Sequence, residues 1–179
     1  MADEAIVQAL RQELFSVPET RVYAVLDGAS VEGLLDALHE HEPEHECLYF
    51  GQLAPDMAEV APYLVLLPPD APFTQWVLEK GWGGHWGVFA ASYEGLRTLR
   101  QHLRRFTKVH GPDGKNLLFR FYDPRVLRTF LPTCTPEEAE EFFGPVLFFV
   151  AEDAEPQRLL RFWHRPEGMR REEVSLTTP

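Results

Sequence analysis

Apolar positions along the chain fall into short runs of two periods, separated by segments rich in Pro, Gly and acids. Ile6, Val7, Leu10 and Leu14 recur at helical spacing and predict an amphipathic helix over Ala2 to Phe15. Arg21 to Leu26 is nearly continuous in apolar residues, the pattern of a strand buried on both faces, which favours a parallel or mixed sheet. Asp27-Gly-Ala-Ser30 turns the chain, and Ser30 is placed to cap a helix carrying Val31, Leu34, Leu35 and Leu38 on one side. Cys47 to Phe50 and Ala61 to Leu67 predict two further strands, the second stopped by Pro68-Pro69. Phe73, Trp76 and Val77 form the apolar face of a short helix closed by Gly81, and a strand is expected over Trp86 to Ala91. Ser92 would cap the clearest helix, Tyr93 to Phe106, in which Leu96, Leu99, Leu103 and Phe106 share a stripe. Arg97, Arg100 and Arg104 recur on another face and are expected to be exposed.

The stretch from Lys115 to Val126 predicts the organising element. Leu117 to Tyr122 alternates as a buried central strand, paired with its predecessor through the turn Gly111-Pro-Asp-Gly114, and Arg120 is the anomaly within it. A guanidinium stays charged at ordinary pH, so Arg120 needs an acidic partner, either Asp123 or an acid on a neighbouring element. Asp123 and Pro124 are a helix N-cap and a first-turn proline, so a helix begins there and ends near Pro132. Thr135-Pro-Glu-Glu138 is a capping box opening a helix that Gly144-Pro145 terminates. Val146 to Ala151 is a last apolar strand, and Leu159 to Trp163 could add an edge strand. Residues 1–164 are expected to form a single α/β domain with a mostly parallel or mixed central sheet flanked by helices. Residues 165–179 are expected to be a loosely ordered tail.

Charge sharpens this picture. The net charge of −11 argues against nucleic acid as a partner. Residues 93–128 nevertheless hold nine bases against three acids, while residues 129–157 hold seven acids and no Lys or Arg. Such an island either neutralises its own acidic flanks or forms a docking face for an acidic partner. Arg97, Arg100 and Arg104 are the candidate contacts of that face. No apolar run approaches the roughly 20 residues that cross a bilayer, and Met-Ala-Asp-Glu is unlike a signal peptide, so neither a membrane partner nor export by the general route is expected. Two isolated cysteines, Cys47 and Cys134, suit a reducing cytoplasm.

Candidate chemistry is sparse. His39 to Cys47 alternates imidazoles with carboxylates, but on a Pro-interrupted connector better read as a solvated loop than a metal site. Asp27-Gly28 after a strand has the look of an aspartyl-phosphate loop, yet Ala29 stands where a second acid is needed. The glycine-rich Gly81 to Trp86 opens a strand and fits neither phosphate-binding template, so no cofactor is expected. The alternative to a binding module is a small cytoplasmic hydrolase or transferase with an unfamiliar site near Asp27, His85 and Asp123.

Three segments carry a resemblance: Phe119-Arg-Phe-Tyr-Asp-Pro-Arg-Val126, Phe142-Phe-Gly-Pro-Val146 and Trp86-Gly-Val-Phe-Ala-Ala-Ser92. Together they resemble the type VI secretion adaptors of bacteria, the Tap or TEC chaperones, over roughly residues 20 to 150. The resemblance implies a cytoplasmic, non-enzymatic adaptor that binds a secreted toxin effector and assists its loading on the spike protein of the injection apparatus. In this sequence Arg120, Asp123, Pro124, Arg125, Gly144 and Pro145 are the motif residues, expected to act structurally. Many members are longer and carry a further C-terminal lobe, whereas this sequence stops at Pro179.

Overall fold

Strand β1, Arg21–Asp27, lies in the middle of the fold and is buried along all but its first residue. The structure, a computed structural model, describes residues 1–177. In chain order the other regular elements are α1 (Glu4–Leu14), α2 (Leu34–His41), β2 (His45–Cys47), α3 (Pro55–Val60), β3 (Pro62–Leu66), α4 (Pro72–Trp76), β4 (Gly87–Ser92) and α5 (Leu96–Leu103). They continue as β5 (Lys108–His110), β6 (Asn116–Leu118), α6 (Pro124–Phe130), α7 (Pro136–Phe143), β7 (Val146–Glu152), β8 (Arg158–Arg165) and β9 (Gly168–Ser175). Among the described residues seven strands form one sheet in the order β2-β3-β1-β4-β7-β8-β9, and β5 pairs only with β6.

Every pairing is antiparallel, which corrects the expectation of a parallel or mixed sheet. The expectation rested on the double-sided burial of β1, and the burial is real. Its source is two helical layers on an antiparallel sheet rather than parallel crossovers. Val22, Ala24 and Leu26 pack with Leu10 of α1, Leu38 of α2 and Phe73 of α4. The intervening Tyr23 and Val25 pack with Leu103 of α5, Leu127 of α6 and Phe142 of α7. Strand alternation thus feeds two cores, and neither face of β1 reaches water.

Two more expectations change. Leu117 to Tyr122 is not a central strand. Only Asn116–Leu118 is extended and paired, it is exposed, and it lies outside the main sheet. Phe121 and Tyr122 are buried by aromatic packing instead, Phe121 standing edge-on to Phe142 with centroids 5.6 Å apart. An apolar alternation was satisfied by side-chain packing under α6 and α7, not by a ladder. Residues 168–175 of the expected loose tail form β9, while 178–179 lie outside the described residues. The charges in Gly-Met-Arg-Arg-Glu-Glu-Val-Ser that read as disorder are those of an edge strand, where charge blocks further pairing.

The helix starts vary in how local their causes are. Thr135 and Glu138 complete the expected capping box, with Glu138 N donating to Thr135 Oγ1 at 3.2 Å and Thr135 N to Glu138 Oε2 at 2.8 Å. Asp123 caps α6 through Arg125 N at 2.9 Å. Ser92 instead belongs to β4 and donates its hydroxyl to Pro145 O at 2.7 Å, and α5 starts at Leu96 after Gly95. Ser30 likewise does not cap α2; its hydroxyl donates to Asp27 Oδ2 at 3.0 Å. Among the described residues no helix is long and apolar enough to cross a membrane.

Candidate functional site

Antiparallel pairing brings the last residues of β1 and β7 and the first of β4 to one end of the sheet, where three carboxylates are buried. Asp27 is 1% exposed and closes β1. It accepts from Ala29 N and Ser30 Oγ, both at 3.0 Å, and from Arg120, while its own N–H donates to Trp86 O at 2.8 Å. Gly87, next to Trp86, tolerates no side chain, because a Cβ there would sit 2.1 Å from Val25 O. Asp27 is therefore the acid that the lone cation at Arg120 required. The hydrogen bond to Asp27 raises the Arg120 pKa further above its ordinary value.

Asp123 does not pair with Arg120. It is gripped by Arg125, whose Nε and Nη2 lie 3.0 and 2.8 Å from its two oxygens. Burial pushes the Asp123 carboxyl up, but the Arg125 side chain and backbone N–H outweigh burial and hold it below the usual carboxylate range. The third carboxylate, Glu152, went unnoticed in the sequence, although an acid closing the apolar run Val146 to Ala151 is the signal that marks it. Gly83 N and His85 N donate to it at 3.0 and 3.2 Å, and His85 Nδ1 lies 2.8 Å from Oε2. Burial pushes the Glu152 pKa up against the pull of His85 and those amides. His85 itself sits at φ +57, so the glycine-rich loop is folded around the carboxylate.

Asp27, Asp123 and His85 are thus each committed to a different partner: Arg120, Arg125 and Glu152. Beside Glu152 the cavity is about 10 Å³, room for about one water. A larger hollow of about 460 Å³ is lined by Gly28, Glu32, Asp36 and Glu59, and none of Asp27, His85 and Asp123 lines it. Among the described residues no three His, Cys, Asp or Glu side chains converge as a metal site, and the connector's imidazoles do not gather one.

The motif glycine and proline are also structural. Gly144 adopts φ +48, and a Cβ there would meet the His102 ring at 2.3 Å. His102 Nε2 lies 2.7 Å from Phe142 O, so the ring lies against the end of α7. Pro145 presents the carbonyl that Ser92 holds.

The arginine stripe of α5 has a different setting from the exposed face expected. Arg100 Nε donates to Cys47 O at 3.0 Å, with Glu46 at 3.6 Å. Arg104 Nη2 donates to Tyr49 O at 3.1 Å, and its guanidinium stacks 3.6 Å above the Phe50 ring. Arg100 thus covers the carbonyl that ends β2, and Arg104, one turn further on, covers the Tyr49 carbonyl in the bend that follows β2. Arg97 remains exposed.

The β5–β6 hairpin is open along its whole length: all six of its residues are exposed, among them Val109 at 40%, Leu117 at 50% and Leu118 at 58%. A family model described as Domain of unknown function (DUF4123) matches residues 22–141, about two thirds of the chain. The chain belongs to the DUF4123 family. No curated protein and no solved structure matches it. The DUF4123 match runs from β1 into α7, so it takes in Asp27, Arg120, Asp123, Arg125 and the hairpin, and stops short of Gly144, Pro145 and Glu152.

Proposed function

We propose that this DUF4123 chain is a non-enzymatic adaptor of the bacterial cytoplasm that binds a type VI secretion effector and assists its loading on the spike protein. The observation that carries the proposal is a division of labour among the motif residues and their neighbours. Asp27, Arg120, Asp123, Arg125, Gly144 and Pro145 are engaged with one another or with the backbone, holding helices to the sheet. The apolar and basic side chains of the hairpin and Arg97 face outward instead, as do Phe50 and Tyr93. A catalyst needs polar groups free to meet a substrate in a concavity, whereas a binding module needs apolar surface rimmed by charge. The resemblance of the motif segments to the Tap or TEC adaptors supplies the identity of the partner.

The test is genetic and quantitative. In a producing bacterium, in-frame deletion of this chain should abolish delivery of one effector while secretion of the apparatus tube protein continues. The effector should co-purify with the tagged chain. Unchanged delivery of every effector in the deletion strain would overturn the proposal.

A further inference from the structure

Two strands of three residues do not make a stable sheet. An isolated hairpin is marginal in water, and a third strand or a covering helix is what ordinarily secures one. Here β5 and β6 pair through Lys108↔Leu118, Val109↔Leu117 and His110↔Asn116, and among the described residues no third strand joins them. Phe119 N donates to Thr107 O at 2.9 Å and Gly111 N to Lys115 O at 2.8 Å, which sets the phase of the ladder. Val109 and Leu117 are then the hydrogen-bonded pair, so the backbone N–H and C=O of Lys108 and His110 point away from β6. Side chains alternate in the same frame. Val109 and Leu117 share one face, and Lys108, His110, Asn116 and Leu118 share the other.

We infer that the outer edge of β5 is a docking site for an extended, acidic segment of the client, which adds itself as a third antiparallel or parallel strand. The inference rests on the adaptor proposal for the identity of the client and on the hairpin for the mode. Charge selects the occupant. Leaving aside Arg104 and Arg120, which are engaged elsewhere, residues 105–119 hold Arg105, Lys108 and Lys115 against Asp113 alone, in a protein of net charge −11. A strand beside Lys108-Val109-His110 that reads acid, apolar, acid places carboxylates against the basic face and an apolar side chain against Val109 and Leu117. Main-chain hydrogen bonds would give the grip and the alternation the selectivity.

The probe is a capped, fluorescein-labelled heptapeptide of alternating Glu and Val, with alternating Lys and Val as its counterpart, titrated against the full chain by anisotropy. The Glu–Val peptide should bind in a salt-dependent manner and the Lys–Val peptide should not. His110→Pro removes one outward N–H without touching the ladder to β6, and Val109→Glu sets an acid on the contact face. Each should weaken the Glu–Val peptide about tenfold or more while thermal unfolding stays that of the wild type. Equal binding by both variants, preference for the Lys–Val peptide, or no binding by the wild type at millimolar peptide would overturn the inference. So would self-association of the chain lost in Val109→Glu, which would assign the edge to a second copy. In the bacterium, a deletion that stops delivery combined with normal delivery by the His110→Pro, Val109→Glu double variant removes the hairpin from the mechanism and leaves the adaptor proposal standing. A deletion without effect removes the adaptor proposal, and the peptide titration alone then decides the hairpin.

Discussion

Arg120 reaches back across 93 residues to donate a hydrogen bond to Asp27, tying the segment before α6 to the last residue of the central strand. The pair is asymmetric, with the Asp27 side chain at 1% exposure and that of Arg120 at 43%. Water can therefore reach one member and not the other, and the stabilisation falls below that of a fully buried ion pair.

Arg120→Met removes the charge at similar volume and leaves Asp27 with its two local donors. The expected loss is about 1–2 kcal/mol, the cost of a buried acceptor deprived of one partner. Asp27→Asn should cost at least as much, since its one amide oxygen can keep Ala29 N while the NH2 in place of Oδ2 meets the Arg120 guanidinium donor to donor. Urea unfolding of the two single variants and the double variant should give a coupling of about 1 kcal/mol. A coupling near zero, with client binding lost in Arg120→Met alone, would make Arg120 a contact residue instead.

How legible this was in the sequence depends on how local each cause is. Thr135 and Glu138 were readable because a capping box is complete within four residues. Arg120 was readable as a cation in need of an acid, but its neighbour Asp123 is taken by Arg125, and nothing nearby in sequence points to Asp27. The double burial of β1 was readable and its cause was not, since two helical layers bury an antiparallel strand as fully as crossovers bury a parallel one. Helical spacing showed that Arg100 and Arg104 share a face, yet which strand edge lies opposite is a tertiary fact. The charges of β9 looked like disorder because edge strands and loose tails share composition.

Gly144→Ala should be strongly destabilising. The glycine combines φ +48 with ψ −118, a conformation that costs a side chain of order 1–3 kcal/mol, and the added methyl would also displace His102. A loss of about 2–4 kcal/mol in chemical denaturation is expected. His102→Ala should recover part of it by opening the space, and a double variant no better than Gly144→Ala would locate the cost in the backbone alone.

His102 also gives the fold a pH dependence of definite sign. Burial lowers its pKa, the Phe142 carbonyl opposes this, and the Arg105 guanidinium, 3.3 Å from Nδ1, lowers it again; Glu141 raises it. A histidine depressed in the folded state is protonated more readily when unfolded. Its contribution is intact above the unfolded value of about 6.5 and is lost as pH falls from there through the folded value. His102→Gln keeps a donor for Phe142 and should flatten this segment of the stability curve. Identical slopes for wild type and variant between pH 6.5 and 5 would count against the assignment.

Arg100 and Arg104 separate two accounts of the basic stripe. If they serve chiefly to steer an acidic client, charge reversal should slow association and leave stability alone, because exposed charges act on encounter rates more than on the fold. Their geometry argues for the other outcome. Each donates to a backbone carbonyl, Arg100 to Cys47 at the end of β2 and Arg104 to Tyr49 in the bend beyond it, and Arg104 covers Phe50, which is still 55% exposed. Losing both donors returns those carbonyls to water and uncovers a short open edge, so Arg100→Ala with Arg104→Ala should cost about 1–2 kcal/mol and raise amide exchange across residues 45–50. The uncovered edge should also promote concentration-dependent association. Arg97→Glu, at a side chain that meets no such carbonyl, should leave stability within about 0.5 kcal/mol and isolate any steering effect. Wild-type exchange rates at 45–50 in the double variant, together with slowed client association, would return all three arginines to the docking face.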